Sequence, residues 1–135
     1  MLFRSEAQTY MRLMKSDLLE LLEASVDGTL DGHKLEWESG FAVTVVMASG
    51  GYPGTYRTGL PVSGLDTIDD GIIVFHAGTQ HGENGQVLTS GGRVLTVVAL
   101  GKDLEDARNK VYANISRIGF EGAHYRRDIA DLNNG

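Results

Sequence analysis

Hydrophobic residues along the chain follow two different periods. From Ser5 to Gly28 they recur every three or four positions, which predicts one amphipathic helix with Ser5 as its N-cap and Asp27-Gly28 as its stop. The spacing then changes to two, as in strands whose alternate side chains face a core. The stretch HKLEWE predicts a first strand, and Ser39-Gly40 predict a hairpin turn into a second strand, FAVTVVMAS.

Strand patterns continue into the last third of the chain. IIVFHAGT predicts a third strand, and the polar turn QHGENG leads to a further strand, QVLTS. Gly91-Gly92 predict another hairpin, into the long apolar strand RVLTVVALG. Asp103 is a typical N-cap and predicts a helix to about Ile118, ended by Gly119. This order indicates the α+β class, a small antiparallel sheet or barrel preceded by an N-terminal helix and followed by a C-terminal helix.

Composition and charge narrow the class of protein. The 135 residues suffice for one domain with its own core, and the absence of cysteine excludes disulfides and thiolate metal sites. A formal net charge of −6 argues against general binding to nucleic acid or anionic membranes. No stretch approaches the roughly 20 apolar residues of a membrane span, and the start lacks the apolar core of a secretion signal. We therefore expect a soluble cytoplasmic domain without nucleic-acid or membrane partners.

Glycine is the unusual component of the sequence. There are 18 glycines, well above the average share of about 7%. The stretch ASGGYPGTYRTG follows a strand, but no helical pattern follows it. Neither a dinucleotide-binding loop nor a Walker A loop therefore fits, and a structural turn remains a possible interpretation. Arg93 stands directly after Gly91 and Gly92, an arrangement typical of a phosphate or carboxylate site, or else of a tight turn with a solvated arginine.

The remaining polar residues predict no complete active site. Four histidines lack the spacing of a metal site: His33, His76, His81 and His124. His76 falls in an apolar strand, which favours a hydrogen-bonded histidine of the core. Asp69-Asp70 are typical of a solvated turn, and the stretch HYRRD predicts an ion-paired tail. We therefore predict no catalytic residue and no metal site in this chain.

Seven stretches between Glu6 and Ile129 carry a resemblance in their order and spacing. They read RLMKSDLLELL, ASGGYPGTY, SGLD, VFHAGT, TSGGRVLTVVALG, A followed by VY in the last helix, and FEGAHYRRDI. Together they resemble one known family, the phosphoribosylamine–glycine ligases (glycinamide ribonucleotide synthetases) of the ATP-grasp class. The resemblance implies two parts. Residues 1–28 resemble the tail of the ATP-grasp portion, and 29–135 the C-terminal ligase domain, a barrel-like unit of the hybrid-motif type.

The resemblance also implies a reaction. The family uses ATP to join glycine to 5-phosphoribosylamine in purine biosynthesis, through an acyl phosphate, giving glycinamide ribonucleotide. Its ATP- and magnesium-binding residues match no part of this chain, so the resemblance implies no cofactor here, and ATP and magnesium in the longer family enzyme. Met1 to Ser5 depart from the family pattern, and we interpret them as the start of a gene fragment, a truncation or an artificial start. We expect the chain to be inactive alone and to contribute one wall of the phosphoribosyl site.

The resemblance assigns residues to two surfaces. Arg93 is expected to bind the substrate phosphate, helped by the amides of Gly91 and Gly92, with His76 and Thr79 nearby; related enzymes often carry lysine in place of Thr79. The second surface is an interface with the upstream ATP-grasp domains, in cis in the family and in trans if the gene is split. It comprises Gly50, Gly51, Tyr52, Pro53, Gly54 and Tyr56.

Two other functions remain open at this stage. The first alternative is a standalone module that binds a small ligand or a protein. The second is a split subunit that completes an ATP-grasp enzyme in trans. A large apolar patch beside Tyr52 that includes the first helix favours a ligase fragment or a split subunit. A polar, self-sufficient surface there favours the standalone module.

Overall fold

The computed structural model describes residues 6–131, and the predicted N-cap Ser5 and the interpreted start Met1 to Ser5 lie outside them. Within residues 6–131 there are three α-helices and five strands, which confirms the α+β class. The helices are α1 (Glu6–Leu13), α2 (Leu18–Asp27) and α3 (Leu104–Ile115). The strands are β1 (Phe41–Ala48), β2 (Ile73–His76), β3 (Thr79–His81), β4 (Val87–Thr89) and β5 (Arg93–Gly101).

Strand β5 is the centre of the main sheet. It pairs antiparallel with β1 on one edge and with β2 on the other, and β3 pairs with β4 in a separate two-stranded sheet. Helix α3 packs its apolar residues, such as Val111 and Ile115, against the core beneath β1 and β5. Helix α1 also contacts β1 and β5, where the hydroxyl oxygens of Thr9 and Thr44 lie 2.6 Å apart and share a hydrogen bond.

The predicted single N-terminal helix is wrong, because the chain leaves the helix at Met14 and starts a second one. Asp17 caps α2, accepting hydrogen bonds from the amides of Leu19 at 2.8 Å and Glu20 at 3.3 Å. The predicted stop is confirmed, since Gly28 ends α2 with φ of 70°. The three-to-four spacing of apolar residues thus continues from α1 into α2, although the helix is interrupted between Leu13 and Leu18 and Asp17 caps the second one.

The predicted hairpin at Ser39-Gly40 is also wrong. HKLEWE does not pair with β1; its residue Trp37 forms an isolated antiparallel bridge with Met14. The carbonyl oxygen of Glu36 accepts a hydrogen bond from the amide of Lys15 at 2.9 Å. The backbone of this segment thus forms its hydrogen bonds with the residues between α1 and α2, and not with β1.

Gly91-Gly92 do not close a hairpin between β4 and β5 either. Strand β4 pairs with β3, with Thr79 opposite Thr89, whereas β5 is filled on both edges by β1 and β2. The glycine pair instead carries the chain from the small sheet into the main one. The long strand and QVLTS are confirmed as strands. The predicted third strand, IIVFHAGT, is divided: β2 ends at His76, and β3 begins at Thr79 in the other sheet and extends into the predicted turn QHGENG.

The last helix begins as predicted and ends slightly earlier. The side chain of Asp103 accepts a hydrogen bond from the amide of Asp106 at 2.7 Å, which confirms the N-cap. Helix α3 ends at Ile115, and the amides of Arg117 and Ile118 then form i→i−3 hydrogen bonds in tighter turns. No helix among residues 6–131 is long and apolar enough to cross a membrane.

Candidate functional site

The two glycine-rich stretches of the sequence meet through one serine. Ser49 is 1% exposed, and its hydroxyl donates a hydrogen bond to the carbonyl oxygen of Gly91 at 2.9 Å. Its amide donates to the carbonyl oxygen of Gly92 at 2.8 Å. The sequence signal was only a small polar residue at the end of a strand, so this connection was missed.

Gly92 lies beneath a pair of aromatic rings. The rings of Tyr52 and Tyr56 have centroids 6.3 Å apart, and a methyl group on Gly92 would overlap Tyr52 and crowd Tyr56. The loop that carries the tyrosines turns at Gly51, whose φ of +94° favours glycine, and its Tyr52–Pro53 peptide bond is cis. The glycines therefore form an ordered, tightly packed wall rather than a slack linker.

Arg93 lies at the start of β5, between two cavities. The first, about 420 Å³, is lined by Arg93 and Tyr52 together with Gly78, Gly92 and other residues. The second, about 350 Å³, is mainly apolar and shares Arg93 and Tyr52 with the first. Tyr52 and Arg93 thus form the partition between a polar cavity and an apolar groove.

The charge of Arg93 is available to a ligand. Within residues 6–131 its guanidinium has no hydrogen bond or ion pair. Other arginines are neutralised locally: Arg57 is 2.7 Å from Glu121, and Arg126 is 2.6 Å from Asp128, which confirms the predicted ion pair of the tail. In the described part of the chain Arg93 is therefore a cation without a counterion, and it lines a polar cavity.

The predicted neighbours of Arg93 are only partly brought together. Gly92 lines the polar cavity with Arg93, and Gly91 lies one residue away with its carbonyl held by Ser49. His76 and Thr79 do not line the cavity; the two residues between them, Ala77 and Gly78, do. The cavity wall on this side is therefore formed by two small residues.

His76 is exposed, so its prediction as a core histidine is wrong. Its position at the end of β2 places it where the strand leaves the sheet, and its Nδ1 lies 3.0 Å from the hydroxyl oxygen of Thr79. Apolar neighbours in sequence predicted burial, but β2 is an edge strand and its last side chain faces solvent. The predicted hydrogen bond is present.

The segment from Gly50 to Tyr56 is exposed throughout. Gly50 approaches Gly122 of the C-terminal segment so closely that a side chain on it would meet that backbone. The loop is thus held from beneath, while its outer surface, including the rings of Tyr52 and Tyr56, is accessible.

Asp69 is exposed as predicted, but it is more than a solvated turn residue. Its carboxylate accepts a hydrogen bond from Arg117 at 2.7 Å and another from Asn114 at 3.1 Å. The Arg117 hydrogen bond, followed by that from Asn114, holds the pKa of Asp69 below its usual value. This network joins the loop after the short helix Leu65–Thr67 to the end of α3 and lies away from the residues that line the polar cavity.

The described residues contain no cluster of metal-binding side chains. Between Glu6 and Asp131 no three histidine, aspartate or glutamate side chains are grouped so that they could hold a metal ion. Magnesium prefers carboxylate oxygens, and the polar cavity offers instead an arginine, an amide and a hydroxyl. Its chemistry suits an anion with polar substituents.

Known proteins of one family match the chain. The family model named Phosphoribosylglycinamide synthetase, C domain, matches residues 42–132. The phosphoribosylamine–glycine ligases of Caldanaerobacter subterraneus and Neisseria meningitidis serogroup A are 46% and 48% identical to the chain, each over 93% of it. The chain therefore belongs to the phosphoribosylglycinamide synthetase C-domain family, and the resemblance recognised in the sequence is confirmed.

The chain spans 30% of the length of those two ligases, and 24% of the Arabidopsis thaliana relative, which is 43% identical and is named as chloroplastic. The crystal structure of the ligase from Thermotoga maritima aligns with a TM-score of 0.64 at 37% identity, over 82% of this chain and 27% of that one. This solved structure supports the α+β fold assigned above.

Proposed function

We propose that this domain supplies one wall of the phosphoribosyl site of a phosphoribosylamine–glycine ligase, and that Arg93 binds the substrate phosphate. The observation that carries the proposal is the guanidinium of Arg93, which lines a polar cavity and has no counterion among residues 6–131. Arginine suits phosphate because its planar donors can form two charge-assisted hydrogen bonds at once. The family of the chain supplies the substrate class.

Small, tightly packed residues form much of the wall around Arg93. Gly78 and Gly92 line the cavity, and the places where their side chains would lie are filled by the backbone of Gly91 and Arg93 and by the ring of Tyr52. Tyr52 closes one side, and we assign His76 and Thr79 to the rim, together with the amides near Gly91. In this proposal the domain positions the phosphoribosyl group and excludes water from one side of it.

ATP and magnesium belong to the longer family enzyme in this proposal. The described residues bring together no ligand set for magnesium, and we assign no chemical step to them here. Activation of the glycine carboxylate would occur in the upstream domains, so this chain alone is expected to be inactive. Its contribution is substrate binding.

We further propose that the loop from Gly50 to Tyr56 contacts the rest of the ligase. The large apolar side chains exposed in the described structure include several on the first two helices: Tyr10, Met11, Leu19, Leu22 and Val26, the last 87% exposed. Gln8 of α1 lines the polar cavity together with Tyr52, so this helix lies beside the loop. So much exposed apolar surface favours a domain that is covered by others over a self-sufficient module.

An amide NMR titration of the full chain with glycinamide ribonucleotide tests the role of Arg93. We expect shifts at Gly91 to Arg93 and at Gly78, with roughly millimolar affinity, about −4 kcal/mol, because one wall of a site binds weakly. Arg93→Ala should abolish the shifts. Arg57→Ala, which removes an arginine already paired with Glu121, is the matched control and should leave them. Equal binding by wild type and Arg93→Ala would refute the assignment.

Mixing the chain with the separately produced upstream portion of a related ligase tests the interface. We expect broad amide changes from Gly50 to Tyr56 and recovery of ligase activity in the mixture, which would also establish that the portions can act in trans. Tyr56→Ala should weaken the association. If the upstream portion causes no change, the chain would be better explained as a standalone module. A cytoplasmic location stays a prediction, since one relative is named as chloroplastic.

A further inference from the structure

The polar cavity contains two uncharged polar side chains besides Arg93. Gln8 comes from α1 and Thr96 from β5, and both line the cavity. Thr96 is 2% exposed and Gln8 is half-buried, and within residues 6–131 neither side chain forms a hydrogen bond. Their polar groups line the cavity without a protein partner among these residues, so the two side chains are suited to polar atoms of a ligand.

A β-bulge places Thr96 and Arg93 in the same cavity. Side chains three residues apart in a regular strand face opposite sides of the sheet. Here Met47 pairs with Leu95 and Ala48 with Arg93, so one extra residue of β5 lies between them. The extra residue brings Arg93 to the side of Thr96, whose partner across the ladder, Val46, lines the same cavity.

Helix α1 packs on β1 and β5 and contributes Gln8 to the same cavity. The hydrogen bond between Thr9 and Thr44, 2.6 Å long, anchors α1 on the face of β1 that also carries Val46. Gln8 precedes Thr9 and reaches the cavity opposite the strand. The cavity is thus formed jointly by the N-terminal helix and the central sheet.

We propose that Gln8 and Thr96 bind hydroxyl groups of the sugar whose phosphate Arg93 holds. An amide and a hydroxyl each both donate and accept hydrogen bonds, which matches a sugar hydroxyl, whereas the phosphate pairs with the arginine. The cavity, about 420 Å³, falls within the usual range for small-molecule sites. This proposal rests on the proposed function, and it makes α1 part of the substrate site although residues 1–28 resemble the portion before the C-terminal domain.

Binding of inorganic phosphate and of ribose 5-phosphate to the full chain, followed by amide NMR, tests the proposal. Gln8→Ala and the nearly isosteric Thr96→Val should weaken ribose 5-phosphate about tenfold and leave inorganic phosphate unchanged. Arg93→Ala should weaken both ligands. Gln80→Ala, an exposed glutamine on β3, is the control and should change neither.

The outcomes separate the two proposals. If Gln8→Ala and Thr96→Val bind ribose 5-phosphate as wild type does, while Arg93→Ala does not, the sugar assignment is wrong and the phosphate assignment stands. If wild type binds neither ligand, both assignments fall. The amide spectra of the variants establish that each is folded, and a variant that weakens phosphate and sugar phosphate equally would indicate a structural role and overturn the sugar assignment.

Discussion

Ser49 and Gly91 are joined by a buried hydrogen bond, in which the serine hydroxyl donates to the glycine carbonyl oxygen at 2.9 Å. The bond links the end of β1 to the turn that leads into β5, 42 residues later in the chain. It thereby holds the start of the loop from Gly50 to Tyr56 against the segment that leads to Arg93. Ser49, which does not line the cavity itself, thus connects two segments that do.

Replacing Ser49 should therefore destabilise the domain. Ser49→Ala leaves the carbonyl of Gly91 without its partner, and we expect the free energy of unfolding to fall by about 1–2 kcal/mol. Urea denaturation followed by circular dichroism measures the change. Ser90→Ala, at an exposed serine in the same turn, should have almost no effect. Similar losses in both variants would show that the Ser49 hydroxyl has no special role.

A side chain at position 92 should displace the ring of Tyr52. Gly92→Ala places a methyl group where that ring packs, and crowding of this kind costs about 1–3 kcal/mol. We expect lower stability in urea and altered NMR signals of the Tyr52 ring. Gly32→Ala is the matched control, because a methyl group there meets no atom within 4 Å. A fully stable Gly92→Ala variant would mean that the ring simply moves aside.

Asn114 should be among the most sensitive polar residues of the domain. It is 1% exposed, accepts a hydrogen bond from the amide of Asp69 at 2.8 Å, and donates to the carbonyl of Lys110 at 3.0 Å. Asn114→Ala leaves a backbone donor unpaired, so we expect a loss of about 2–3 kcal/mol. Thermal and urea unfolding provide the measurement. Asn109→Ala, on the exposed side of the same helix, should change stability little.

The stability of the domain should fall in acid, partly through Asp69. The pKa of Asp69 is lowered in the folded state, chiefly by the hydrogen bond from Arg117. A lowered carboxyl pKa contributes stability that is present above the unfolded value of about 4 and is lost as the pH falls through the folded value. The pKa values of Asp106 and Asp128 are lowered in the same direction, by Lys110 and Arg126 respectively.

Asp69→Asn tests this dependence. The variant should be less stable than wild type at pH 7, and its stability should decline less between pH 4 and pH 2, because one linked proton is removed. Urea midpoints measured across that range give the comparison. Asp70→Asn, at the neighbouring exposed aspartate, should follow the wild-type curve. A parallel decline in wild type and Asp69→Asn would contradict the linkage.

Local signals predicted single elements well. The N-cap at Asp103, the stop at Gly28 and the positions of the longer strands each depend on residues close in the chain, where capping and alternation act directly. The break between α1 and α2 was missed because Asp17, which caps the second helix, lies inside a continuous apolar pattern. The arginine and glycine of the candidate site were visible in the sequence, whereas Ser49, Gln8 and Thr96 were not.

The sequence by itself determined the long strands, the last helix and, through its motifs, the family, because those signals are local or ordered along the chain. It did not determine the break between α1 and α2 or the fate of HKLEWE, which is no strand of the structure. Only the tertiary structure decided which strands pair. A period of two defines the faces of a strand but not its neighbour, so β5 lies between β1 and β2 rather than beside β4. The bulge before Leu95 and the packing of α1 on β1 are likewise long-range, and they bring Arg93, Thr96 and Gln8 into one cavity.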